Sequence, residues 1–172
     1  MIALGGHISA FRWWLGAEGE RETARQIERL SAGWHCEHDV VHEHGNWDHI
    51  VVGPPGTFLL DSKYLHGRAV ARDDALDCGR LKFRGSGFRG GAWRIKTELE
   101  GRLGSSPGWV QAVVVVWADF PQRLVKENDV VYIAGEDLVA WLERQPIKLK
   151  GHQRTAIISA LQELRAALDQ AA

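Results

Sequence analysis

WDHIVVGPPGTFLLDSKY, residues 47–64, decides the architecture. Two arms rich in β-branched and aromatic residues, Ile50 to Val52 and Thr57 to Leu60, flank Gly53-Pro54-Pro55-Gly56, which has the composition of a four-residue hairpin loop. If Val52 faces Thr57, Asp48 faces Asp61, and residues opposite one another in a ladder point to one side of the sheet. Lys63 lies two residues beyond Asp61 and shares that side. The register thus predicts two acids and a lysine gathered at the end of arms that otherwise read as core. A slip of one residue would undo the arrangement.

The flanking elements follow from periodicity. Upstream, residues 17–30 form a helix in which Ala24, Ile27 and Leu30 repeat at helical spacing, and Glu20, four residues before Ala24, lies on the same inward stripe. Glu18, Glu22 and Glu28 fall off it and read as solvated; taken alone, Glu20 is equally an acid favoured by the helix dipole. A strand is expected over 34–44, closed by Gly45-Asn46, and a short extended piece over 67–71. After a Gly- and Arg-rich segment, residues 80–92, come a helix over 92–103 and the strand WVQAVVVVWA, 109–118, whose unalternating valines fit a central strand covered on both faces. A strand at 130–134, a helix at 136–144 and a last helix from about 153, with Ile157, Leu161, Leu164 and Leu168 on one face, complete the chain. Interleaved strands and helices imply an α/β fold with a mixed central sheet and helices on both faces.

Composition bounds the function. A chain of 172 residues fits a single domain, with residues 1–15 as a lead-in. The formal charge of -1 gives no global attraction to nucleic acid, so any preference for a polyanion rests on a local patch. Two cysteines, Cys36 and Cys78, suit a reduced, cytoplasmic setting, and no apolar run reaches the ~18 residues of a membrane span. Nothing resembles a Walker loop, a serine-nucleophile elbow or a dinucleotide fingerprint.

The gathered acids need compensation, because two like charges ~4 Å apart repel by roughly 4 kcal/mol at an effective dielectric of about 20. One solution is a buried ion-pair network in which Lys63 and an arginine neutralise the acids. The other is a divalent cation: Mg2+ or Mn2+ takes oxygen ligands, borrowing one or two protein carboxylates, with Glu20 bound directly or through water. Such an ion beside a lysine suits phosphodiester hydrolysis.

GAEGERETARQIERL (16–30), HDVV (38–41), GNWDHIVVGPPGTFLLDSKYLHGRAV (45–70) and AVVVVWADF (112–120) together resemble the NERD (nuclease-related) domain, a branch of the restriction-endonuclease-like PD-(D/E)xK superfamily. The best-matching core is 16–120, with residues 121–172 as C-terminal strand and helices. The resemblance implies a restriction-endonuclease-like α/β/α core and a metal-dependent nuclease acting on DNA, with Glu20, Asp48 and Asp61 as metal ligands and Lys63 as the catalytic lysine. A non-catalytic nucleic-acid-binding or interaction module on the same fold is the alternative. Three departures stand out: Asp61-Ser62-Lys63 replaces the commoner Glu-x-Lys, Trp47 replaces an aliphatic residue and is expected to point away from the metal side, and Gly91-Ala92 stand where a polar residue, often glutamine, is expected.

Secondary signals remain. Arg80, Lys82, Arg84, Arg89, Arg94 and Lys96, interleaved with Phe83, Phe88 and Trp93, read as a nucleic-acid contact or as a solvated face with its aromatics turned inward. Cys36, His38, His42 and His44 are expected to share a strand face, but with no second arm of ligands a zinc site is disfavoured; His49 should point away from Asp48. The apolar face of the last helix is expected to dock on its own sheet, with a homo-oligomer contact as the alternative.

Overall fold

The computed structural model describes residues 5–43 and 45–171, with residues 5–15 as main chain alone. In chain order the elements are α1 (Gly5–Ile27), β1 (His35–His42), β2 (Gly45–Gly53), β3 (Gly56–Arg72), β4 (Ala75–Cys78), β5 (Leu81–Arg84), α2 (Gly85–Leu103), β6 (Val110–Asp119), β7 (Leu124–Glu127), β8 (Val130–Ala134), α3 (Leu138–Glu143) and α4 (Gly151–Ala171). The sheet runs β1-β2-β3-β6-β8-β7, and the β4-β5 hairpin extends from β3. β6 lies parallel to β3 and β8, whereas the remaining pairs are antiparallel.

The valine run sits at the centre of this mixed sheet. Val114 and Val116 enter one apolar layer with Ile95 and Leu99 of α2 and Ile157, Leu161 and Leu164 of α4. Val113 and Val115 enter the other with Ile27 of α1 and Leu138 and Leu142 of α3. Helices thus cover both faces, as the interleaved pattern implied, because only a strand buried on both sides can be apolar at every position. The α4 face is spent within the molecule. Among the described residues, no helix is long and apolar enough to cross a membrane.

Where boundaries differ from expectation, tertiary contacts explain it. The hairpin loop is two residues, Pro54 and Pro55, because Gly53 pairs with Gly56. Its outer carbonyl is tied down by the N–H groups of Lys148 and Leu149, which donate to Pro54 O at 3.0 Å. A Cβ at Gly53 would lie 2.2 Å from the Trp34 ring, so only glycine lets that indole cover the turn. Gly53→Ala is expected to lower stability by about 2 kcal/mol or more, which chemical denaturation would read directly.

The helix expected over 92–103 starts at Gly85, inside the glycine-rich segment. Glycine is a poor helix former, but here close packing decides. A Cβ at Gly85 would meet Asp74 Oδ1 at 2.3 Å, and one at Gly91 would meet Leu59 Cδ2 at 2.9 Å. The helix expected from residue 17 already begins at Gly5, within the predicted lead-in.

Candidate active site

The site is made by a fork in the sheet. β2 pairs with β3 from Gly53–Gly56 to His49–Leu60, with Val52 opposite Thr57 as predicted, and there the ladder stops. Onward from that point β2 follows β1 as far as the Gly45–His42 pair, while β3 follows β6 and then β4. Asp48 and Asp61 are the first residues past the fork. The parting strands leave the Ser62 N–H without a ladder acceptor, and it donates instead to Asp48 Oδ2 at 2.8 Å. A carboxylate thereby replaces a main-chain carbonyl in the ladder.

Lys63 completes this edge. Its ammonium forms an ion pair with Asp61 Oδ1 and lies 5.3 Å and 5.6 Å from the ring centres of Phe83 and Phe88. The contact with Asp61 lacks hydrogen-bond geometry, so buried Oδ1 has charge compensation without a directional partner. Two aromatic faces are a cation's substitute for lost water.

Helix α1 supplies the third acid. Thr23 anchors the helix, because its hydroxyl accepts from Ser62 Oγ at 2.8 Å and from Trp117 Nε1 at 2.9 Å. One turn earlier, a Cβ at Gly19 would come within 3.1 Å of Tyr64 Cβ, so the helix lies close on β3. Glu20 follows it. Burial raises the Glu20 carboxyl above the ordinary range, the charges of Asp39 and Asp61 raise it further, and Lys63 opposes them.

Asp48 feels the same group more strongly. Burial, then the neighbouring Asp61 charge, push it up to about 7 against the pull of the Ser62 N–H and Lys63. Each of the four predicted residues therefore acts on another through space. The three carboxyl groups do not, however, close on one another as tightly as Cys36, His38 and His49, whose donor atoms all lie within 4.8 Å of one another.

Asp39 was missed in the sequence. It takes a φ of 48°, accepts from Asn46 Nδ2 at 2.6 Å and is the strongest charge acting on Glu20. This left-handed residue interrupts strand alternation: His38 faces His49, whereas Val40, two residues on, joins Trp47 in the opposite apolar layer. The slip corrects the expectation for Trp47. Its side chain lines the same cavity, of about 300 Å3, as Asp48, Asp61, Phe88, Gly91 and Arg94.

Gly91 closes the roof of that cavity, and its missing side chain lets α2 rest on Leu59. A polar residue at this point would have to displace the leucine. A larger hollow of about 640 Å3 beneath the Pro54-Pro55 turn is lined by no carboxylate, which disqualifies it as a site for a hard dication.

The basic segment divides. Arg89 is held by Asp74, at 2.5 Å and 2.9 Å, and by the Asn128 carbonyl at 3.1 Å, and this pinning fixes the β4 hairpin to the first turn of α2. Lys82 faces Asp77 at 3.7 Å, and Lys96 faces Glu100 at 2.5 Å. Arg80, Arg84 and Arg94 carry no ion pair among the described residues, and Trp93 is 66% exposed. Phe83 and Phe88 pack against the core.

The histidines also divide. His49 turns away from Asp48, as expected, and its Nδ1 meets His38 Nδ1 at 2.7 Å. His42 instead stacks on Trp47 with ring centres 4.2 Å apart, so it does not share a face with Cys36 and His38. His44 lies outside the described residues.

The mixed sheet with helices on both faces is consistent with the restriction-endonuclease-like class of α/β domains. The family model described as the nuclease-related domain, NERD, matches residues 15–117. The chain belongs to that family. No curated protein and no solved structure matches it.

Proposed function

We propose that this domain is a Mg2+- or Mn2+-dependent nuclease that hydrolyses phosphodiester bonds in DNA. The observation that carries the reading is the fork: two aspartates set past the last ladder pair, one lifted to about 7 by burial and by the other. Such an arrangement is costly without a counter-charge, and of the cations near it Lys63 is paired to Asp61 while Arg94 lines the cavity wall without an ion pair among the described residues. The carboxylates are oxygen donors suited to a hard dication, and buried Asp61 Oδ1 still lacks a directional partner.

Asp48 and Asp61 would hold the ion, and Glu20 would complete or orient its shell. When bound, the ion supplies Lewis-acid chemistry toward water and toward a non-bridging phosphate oxygen. Lys63 orients the attacking water or stabilises the charge developing on phosphorus. Asp48 keeps its orientation through the Ser62 N–H. The test is cleavage of single- and double-stranded DNA and RNA with Mg2+, Mn2+ or EDTA, comparing wild type with Lys63→Ala; metal-dependent cutting lost in the variant supports the reading.

A second reading, a binding module without catalysis, is favoured by one observation: Lys63 is already engaged by Asp61. It predicts binding without cutting in both proteins.

For the contact surface, Arg80, Arg84 and Arg94 are the arginines best placed to meet phosphate, with Trp93 available to stack on a base. Arg84→Ala combined with Arg94→Ala should weaken DNA binding and flatten the slope of log K against log salt by about 2. An unchanged slope would remove this surface from the account. Arg89→Ala should instead loosen the β4 hairpin and lower the melting temperature while leaving the salt slope alone, because its guanidinium is committed to Asp74.

A further inference from the structure

On the face of β1 and β2 opposite Asp48, one sulfur and two nitrogen donors meet. His38 and His49 are a cross-strand pair, and Cys36 lies two residues from His38 on the same face. His38 Nδ1 is 2.7 Å from His49 Nδ1 and 3.8 Å from Cys36 Sγ. We propose that Cys36, His38 and His49 form a binding site for a zinc-class transition metal, separate from the carboxylate site and built into the root of the fork.

The distances fit. With bonds of about 2.0–2.1 Å to nitrogen and about 2.3 Å to sulfur, the ligand atoms of a tetrahedral zinc lie roughly 3.3–3.6 Å apart. Two of the separations, 2.7 Å and 3.8 Å, lie on either side of that range and all three fall within 4.8 Å, so side-chain shifts of up to about an ångström would seat the ion. The ligand set selects against Mg2+, which takes oxygen donors, and favours a borderline-soft ion. The second arm that the sequence reading found missing is His49, delivered by the β1-β2 pairing.

In the metal-free protein a His38 Nδ1–H donating to His49 Nδ1 leaves the buried His49 ring with its proton on Nε2, facing the Glu20 main chain, the same tautomer that a metal on Nδ1 requires. A metal on Nδ1 fixes the proton on Nε2, directed at that main chain, in the way second-shell acceptors orient ligating imidazoles. The ion would clamp β1 to β2 directly behind Asp48 and brace the turn of α1 that carries Glu20.

Binding is a proton exchange. Cysteine ligates as the thiolate and histidine through a neutral ring nitrogen, so binding displaces the thiol proton. The metal takes the sulfur lone pair, the S–H bond breaks, and one proton passes to solvent for each ion bound. His38 is exposed, which leaves the fourth position to water.

The test is titration of the metal-free full chain with Co2+ and Zn2+. The expected result is one equivalent of Co2+ giving a thiolate-to-metal absorption band, displaced by Zn2+ with release of about one proton. Cys36→Ser and the exposed-site variant His38→Ala should each weaken binding by at least roughly a hundredfold, since even outer-shell changes cost up to that much. Asp61→Asn should leave the band intact. Absence of the band in wild type, or a band that survives Cys36→Ser and His38→Ala, overturns the site. Because the readout is the thiolate band, its failure is distinct from failure of the nuclease reading.

Discussion

Lys63→Ala should abolish most metal-dependent cleavage, by roughly a hundredfold to a thousandfold in kcat, while leaving DNA binding nearly unchanged. The asymmetry follows from position. Lys63 is held at the fork by Asp61 and by the rings of Phe83 and Phe88. A charge so placed acts on the reacting phosphate more than on the length of bound DNA. Lys63→Arg should not restore the rate, because a longer, planar guanidinium spreads its charge and does not deliver it at the point the compact ammonium occupies. Single-turnover kinetics separate the effects: an equal fall in binding and in rate would make Lys63 an ordinary phosphate contact.

Asp48→Asn should remove much of the pH dependence of stability. The folded carboxyl titrates near 7, well above the ordinary value of 3.8. Between those values the folded chain binds more protons than the unfolded one, so metal-free wild type loses stability as pH rises from about 4 to about 7. The loss is on the order of 4 kcal/mol. Asparagine has no proton to lose and still offers an oxygen to the Ser62 N–H. Metal-free Asp48→Asn should therefore melt above wild type at pH 8 and near it at pH 4. Adding Mg2+ at pH 8 should raise wild type alone. A variant that melts below wild type equally at both pH values would show that Asp48 serves packing rather than charge.

Much of this was legible in the residues. The hairpin register could be read because glycines and prolines punctuate the turn and the arms alternate little, and Asp48, Asp61 and Lys63 follow from it by counting. The valine run announced a central strand, and the 3.6-residue stripe of the first helix selected Glu20. What escaped was set by left-handed residues that are not glycine. Asp73 and Asp74, with φ of 51° and 56°, turn β3 into β4, and Asn128 and Asp129, at 44° and 63°, turn β7 into β8; neither hairpin carries the usual Asn-Gly signal. Asp39 did the same within a strand and reversed the side on which Trp47 lies. The Cys-His-His group was hidden for another reason: its third member comes from a different strand, and only the pairing of His38 with His49 brings it in.

Anomalous scattering from crystals soaked in Mn2+ tests the central claim most directly. The account predicts a peak between the Asp48 and Asp61 carboxylates, within reach of Glu20 directly or through one water, and its loss in Asp61→Asn crystals. Density at no point of the fork, in crystals where DNA cleavage by the same preparation depends on Mn2+, would contradict it.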